Sequence, residues 1–447
     1  MAKQIQTNKG LIEGVTCDGY TIYKGVPYAK PPVGDLRWKA PVEVDPWDGV
    51  FKADTFGKVT EQDFPDPAHP IMGRFNKEFY ANPDFMRERS EDCLYLNIWV
   101  PDETEGKKLP VAFWLHGGGF SGGFSSELEF DGEAYCKKDV ILVTVEYRCN
   151  IYGFLAHPWL DAENENGVSG NYGILDQITA LNWVYDNIEN FGGDPENITV
   201  FGQSAGSMSA QTLVSTEFTK GKIAKAIMQS GISCEVGADA TPTLIEEEVF
   251  GKIFIEKCLK AKNIDELRGM SAQQINEARQ VFDAMMWQTG KGLVLVPNVD
   301  GCVLKKNVKD VWKDGEMRQI PYMAGAVIDD LMAKPEEVKE KKPGMLMEQC
   351  KLWSLKCEEI YQVPSYLYFF AHELPGDDWG AFHSSELWYT FGTLGRCWRP
   401  MTKADYKISE DMVTYWTNFM KTGCPAGDGT GEWKPYTKAE GFIKKFE

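Results

Sequence analysis

The run Ile198-Thr-Val-Phe-Gly-Gln-Ser-Ala-Gly-Ser207 constrains this chain more than any other segment. A β-branched and aromatic stretch ends at Gly-x-Ser-x-Gly, and a small-residue segment able to open a helix follows. That is the strand–turn–helix context of a nucleophile elbow, where a strained turn exposes a serine above the end of a sheet. Only residues without a Cβ fit beside such a serine, which accounts for Gly202 and Gly206. Ser204 is the candidate nucleophile, with the amide of Ala205 aimed back at the oxygen under attack. The bland alternative is a Gly/Ser-rich turn, so the rest of the chain has to supply partners.

The 447 residues exceed one small domain, and they suit a single elaborated α/β unit spanning 1–447. A hydrophobic fraction of 43% with 25% charged residues is globular. The net charge of −19 argues against nucleic acid as a partner, since that needs a basic stripe, and disfavours anionic membranes. No apolar signal core opens the chain, and no uncharged run approaches bilayer length. Eleven cysteines, an odd number without a C-x-x-C pair, suggest neither a disulfide framework nor a zinc knuckle. A reducing cytoplasm is expected, with no metal ion.

Strand-like runs at 11–16 and 20–26 are followed by a Pro/Gly-rich stretch to Gly49. Residues 60–90 are polar and punctuated by proline, which predicts a surface excursion. From Leu94 onward strands and helices alternate. Strands are expected at 94–100, 110–115, 140–146, 197–201, 224–229, 321–327 and 366–370. Helices are expected at 174–190, capped by Asn171 or a neighbour, and at 207–215, 245–262, 265–270 and 408–421. The charged run 334–342 reads as a solvated face. This alternation predicts an α/β fold with a mostly parallel sheet covered on both faces.

A serine hydroxyl needs a base, and the base needs a carboxylate that fixes its tautomer. In the elbow architecture the chain order is Ser, acid, His. Only His372 and His383 follow Ser204. His372 ends a strand, whereas His383 sits in a flexible turn able to deliver a ring from outside the sheet; order alone leaves both open. Asp329 and Asp330 follow the strand ending at Val327, and helix capping competes with catalysis for each of them. The strand 110–115 runs into His116-Gly-Gly-Gly-Phe120, a glycine-rich loop that brings backbone N–H groups to an oxyanion. Gly117-x-Gly119-x-x-Gly122 also satisfies a dinucleotide fingerprint, with Glu146 ending the next strand. Against a nucleotide-dependent oxidoreductase, the segment after Gly122 lacks the apolar periodicity of a phosphate-binding helix.

Together these segments resemble type-B carboxylesterases, the cholinesterase-like α/β-hydrolases, in the style of bacterial members. Tyr23-Lys-Gly-Val-Pro-Tyr-Ala, Glu91-Asp-Cys-Leu-Tyr-Leu-Asn-Ile-Trp-Val-Pro101, Glu146-Tyr-Arg and Gly170-Asn-Tyr-Gly-Ile-Leu-Asp-Gln match the family pattern. Phe191-Gly-Gly-Asp-Pro, Ser230-Gly and Phe382-His-Ser-Ser-Glu-Leu match as well. The resemblance implies an α/β-hydrolase fold and the triad Ser204, Asp330 and His383. It implies an oxyanion hole from Gly118, Gly119 and Ala205, with Gln203, Ser230 and Glu386 standing around the triad. It implies a serine carboxylesterase that acts on small-molecule esters without a cofactor. A non-catalytic cholinesterase-like binding module is the second reading.

Four departures from the family stand out. Asp330 replaces a longer Glu, and Gln203 stands where many relatives carry Glu. No cysteine in 55–65 waits for Cys93, and the interval between acid and histidine is short. The last departure predicts a reduced lid and a preference for short-chain, aryl or arylalkyl esters. Phe120, Phe124, Trp388 and Phe391 are the expected lining aromatics, with core packing as the competing role for each.

Overall fold

The computed structural model describes residues 3–102, 106–235, 241–290, 293–427 and 429–447. A ten-stranded sheet dominates it. In chain order the strands are β1 (Val15–Thr16), β2 (Tyr20–Pro27), β3 (Tyr95–Pro101), β4 (Leu109–Leu115) and β5 (Ile141–Val145). Then follow β6 (Gly193–Gln203), β7 (Lys225–Gln229), β8 (Tyr322–Val327), β9 (Ser365–Phe370) and β10 (Ile443–Phe446). Their spatial order is β10-β9-β8-β7-β6-β4-β5-β3-β2-β1. From β10 to β5 all pairings are parallel, whereas β3, β2 and β1 join antiparallel. The predicted strands 94–100 through 366–370 are all present, and the closing edge strand β10 is additional. The run 11–16 breaks at Gly14 into a strand of a small separate sheet (Leu11–Glu13) and β1.

The central strands β4 and β5 are buried along their whole length, so they read as unbroken apolar runs rather than alternating ones. Helix Tyr172–Asn187 packs against β6. Its Asp176 meets Arg148 in a buried two-pronged pair, Nη2 to Oδ1 at 2.7 Å and Nε to Oδ2 at 2.8 Å. Gln177 of the same helix donates to Ser209 Oγ on the elbow helix at 2.9 Å. The motifs around Arg148 and Asp176 thus fasten the scaffold under the site. Asn171 holds the N-cap position, yet its side chain bonds the backbone of Asn298 on another segment and leaves the helix end uncapped.

Among the described residues the two longest helices outside the expected set are Ala272–Gln288 and Met345–Lys356, and several short ones such as Val308–Lys313 accompany them. The predicted helix 245–262 is helical from Leu244 to Lys252 and widens into a π-turn at Ile253–Leu259.

Candidate active site

The site gathers at the carboxyl ends of the parallel strands, where open α/β sheets place their chemistry. Ser204 follows β6 with φ 57° and ψ −126°, a strained backbone for a residue with a side chain. Close packing fixes that turn. A Cβ on Gly206 would lie 2.0 Å from the Leu115 carbonyl oxygen, and one on Gly202 would lie 2.3 Å from the Gly206 oxygen. The elbow helix, Ala205–Leu213, starts at once, so the Ala205 amide is one of its unbonded first-turn donors.

β4 ends at Leu115 and the chain turns through Gly117–Gly119 against the elbow. A Cβ on Gly117 would lie 3.2 Å from Ser204 Cβ. Gly118 at φ 103° completes a tight turn whose carbonyl accepts from Ser121 N at 3.0 Å, leaving its own amide free of the turn's bonds. His116 is buried, stacked on Tyr147, and pushed down to about 4 by burial, so it is neutral. Its Nδ1 bonds the Gly117 carbonyl at 2.9 Å. It shapes the loop and plays no acid–base part.

The two candidate acids and the two candidate histidines have different partners. Asp330 Oδ1 lies 2.5 Å from His383 Nδ1, while Oδ2 accepts from Ser230 Oγ at 2.7 Å and from Val327 N at 3.2 Å. Asp329 faces the other way and accepts from Ala381 N at 3.2 Å, pinning the histidine loop. His372 is occupied elsewhere, its Nε2 paired with Asp405 at 2.8 Å. With Nδ1–H given to Asp330, His383 Nε2 is an acceptor. It takes an N–H from Gln203 at 3.2 Å, and Ser384 Oγ orients that amide by donating to Gln203 Oε1 at 3.0 Å. Among the described residues Nε2 thus rests on Gln203 rather than on Ser204. Sequence reasoning missed Ser384, which nothing in its local pattern singled out. Glu386 lies buried behind the triad, near Tyr368 OH (3.3 Å) and the Gln229 amide (3.5 Å). Burial, with the Asp330 charge adding to it, pushes its carboxyl up to about 7.

Ser204, Gly118, Gly119, Ala205, Gln203, Ser230 and His383 open on one cavity of about 1210 Å³. Its walls correct two expectations. The segment 60–90 is no mere surface excursion, because Gln62, Phe64, Phe75, Phe79 and Tyr80 form one wall. That wall is held by Glu78, whose buried carboxylate accepts from Trp388 Nε1 (2.9 Å), Trp398 Nε1 (2.9 Å) and Arg399 Nε (3.0 Å). Arg399 in turn reaches Asp377 at 2.8 Å. The proposed aromatics Phe120, Phe124, Trp388 and Phe391 are buried and packed on other rings. Further lining comes from Pro242, Val249, Phe250, Trp287, Leu293, Val296, Leu331 and Leu346.

The dinucleotide reading fails, since Glu146 is consumed by the Ser125 and Thr60 amides and no helix follows Gly122. All eleven cysteines, Cys93 included, are unbridged. Among the described residues no helix is long and apolar enough to cross a membrane, and no cluster of side chains could hold a metal ion.

A serine elbow, a glycine loop and a histidine–carboxylate pair at the ends of a parallel sheet define an α/β-hydrolase site. The carboxylesterase family model matches residues 1–350 and 352–446, and the chain belongs to that family of carboxylic ester hydrolases. It is 32% identical to the para-nitrobenzyl esterase of Bacillus subtilis (strain 168), over 98% of this chain and 93% of that protein. It is 38% identical to the fumonisin B1 esterase of Sphingopyxis macrogoltabida over 72% of this chain, a match that spans only 55% of that protein. A solved thermophilic PNB esterase superposes with a TM-score of 0.82 at 28% identity, covering 100% of this chain and 96% of that one.

Proposed function

We propose that Ser204, His383 and Asp330 carry out ester hydrolysis through an acyl-serine intermediate. The single observation that carries this is the Asp330–His383 bond at 2.5 Å on a ring that opens into the same cavity as Ser204. As substrate arrives, His383 Nε2 exchanges the Gln203 amide for the Ser204 hydroxyl and takes its proton. The serine oxygen attacks the ester carbonyl, and the amides of Gly118, Gly119 and Ala205 receive the oxyanion. His383 then protonates the departing alcohol, and water repeats the sequence on the acyl-enzyme.

The substrates are small-molecule esters, short-chain or aryl and arylalkyl; the Phe, Tyr and Leu lining of the cavity supports the aromatic part of this. The whole chain acts as one α/β-hydrolase unit. Its unbridged cysteines support a reducing, cytoplasmic setting. Release of p-nitrophenol from its acetate, together with labelling by a serine-directed phosphonate, tests the assignment. Ser204→Ala should lose on the order of 10⁶-fold in turnover and all labelling. Labelling that survives in the variant sinks it.

A further inference from the structure

Gln62 is only 2% exposed, and its side chain makes a two-way bond to one backbone position of the glycine loop. Its Nε2 donates to the Gly123 carbonyl at 3.0 Å, and its Oε1 accepts from the Gly123 amide at 2.8 Å. A primary amide is the neutral side chain that offers a donor and an acceptor side by side, so the pairing imitates one rung of a β-ladder. The rung is buried, and losing either half leaves a backbone polar group with no water to replace it. A Cβ on Gly122 would lie 2.7 Å from Gln62 Oε1, so the loop closes directly onto the amide.

That grip reaches the candidate oxyanion donors through backbone contact. A Cβ on Gly118 would lie 2.2 Å from the Gly122 oxygen and 3.1 Å from Gly123 N, and one on Gly123 would lie 2.6 Å from the Gly117 oxygen. The Gly118 carbonyl also accepts from the Gly122 amide at 3.2 Å. With backbones packed this closely, Gly123 cannot shift without carrying Gly117 and Gly118 along. Gln62 is itself anchored. Arg89 Nη1 donates to its carbonyl at 2.8 Å. Its neighbours Glu61 and Asp63 accept from Asn276 Nδ2 at 2.8 Å and from Arg279 Nη2 at 2.7 Å, both on helix Ala272–Gln288.

We propose that Gln62 is a positioning residue for the oxyanion hole: its amide sets Gly123 and, through Gly123, the direction in which Gly118 and Gly119 present their N–H groups. The proposal rests on the serine esterase reading above and adds to it the side chain that aims the hole. Such donors act on an oxyanion about 2.7–3.1 Å away, and a displacement of about 1 Å costs about 10²-fold in rate. The ground-state ester gains little from the hole, so the loss falls on kcat rather than on KM.

The test measures hydrolysis of phenyl acetate by the full chain together with inhibition by 1,1,1-trifluoro-4-phenylbutan-2-one. Ser204 Oγ bonds the carbonyl carbon of that ketone, His383 takes the serine proton, and the C=O π pair becomes an oxyanion held in the hole. Gln62→Met keeps the length of the side chain and removes both bonds to Gly123. It should lower kcat by about 10²-fold with KM within about threefold of the parent, and raise the Ki of the ketone by about the same 10²-fold. Mere loss of folded enzyme lowers kcat through the active fraction and leaves Ki where it was. A lowered kcat with an unchanged Ki therefore overturns the proposal, and so does an unchanged kcat. Gln62→Glu keeps the acceptor for the Gly123 amide and loses the donor, so each readout should move by about tenfold. The same criteria applied to it decide the matter if Gln62→Met does not fold. Failure of the parent to hydrolyse phenyl acetate would instead strike the esterase reading itself.

Discussion

Asp330 reaches His383 although its side chain is one methylene shorter than a glutamate, with Oδ1 at 2.5 Å from Nδ1. The backbone makes up the difference. Asp329 pairs with the histidine loop through a backbone bridge to Phe382 and a side-chain bond to Ala381, drawing that loop toward β8. Ser230 and Val327 hold the second carboxylate oxygen, so the acid has no freedom to turn away.

Exchanging the two neighbouring acids separates these roles. Asp330→Asn should lower turnover by about 10³–10⁴-fold by spoiling the His383 tautomer. Asp329→Asn keeps the side-chain oxygen that accepts from Ala381 and should be comparatively mild. Steady-state kcat of the two variants decides, and a reversed order would move the acid by one residue.

The two histidines should behave very differently. His383→Ala should lose as much activity as Ser204→Ala, since the pair acts as a unit. His372→Ala breaks a half-buried bond to Asp405, worth about 1 kcal/mol, and should stay within about tenfold of the parent. Comparable losses from both would mean that the base is misplaced.

Glu386 links stability to pH. Its carboxyl is held up at about 7 from an ordinary 4.5 by burial. Below pH 4.5 it is protonated folded or unfolded. Between 4.5 and 7 only the folded chain keeps the proton, so stability falls as pH rises through that window. Glu386→Gln removes this slope. Relative to the parent, its urea-derived stability should gain up to about 3 kcal/mol between pH 4.5 and 8. An unchanged difference across that range would show that the carboxyl titrates normally.

The cysteines offer a chemical check. Denaturing thiol titration without reductant should find all eleven free, Cys93 among them. A mapped native bridge would point to an oxidising compartment.

The sheet and the elbow were legible because buried parallel strands leave unbroken apolar runs, as in β4 and β5, and because Gly202 and Gly206 are dictated by backbone collisions. The acid and base were narrowed by chain order and separated by family likeness, not by local pattern. The cavity wall 62–80 was hidden. Its polar, proline-broken sequence has no periodicity, and its Phe75 and Phe79 acquire meaning only against Trp379 and Trp388, far along the chain. Helix Ala272–Gln288 did carry a local mark, the capping box Ser271–Gln274. Glu146 could imitate a ribose ligand on paper because sequence spacing does not reveal that two backbone amides already occupy its oxygens.

The grip on Glu78 stiffens one wall of the cavity. Swinging the Phe75–Tyr80 wall outward would separate a buried carboxylate from Arg399 and two indole N–H groups. Breaking such a pair costs about 3–5 kcal/mol, so that wall stands open for only about one part in a thousand of the time. One side of the cavity is therefore a fixed jamb, and a ligand lying against Phe75 and Phe79 has to match their shape rather than push them aside.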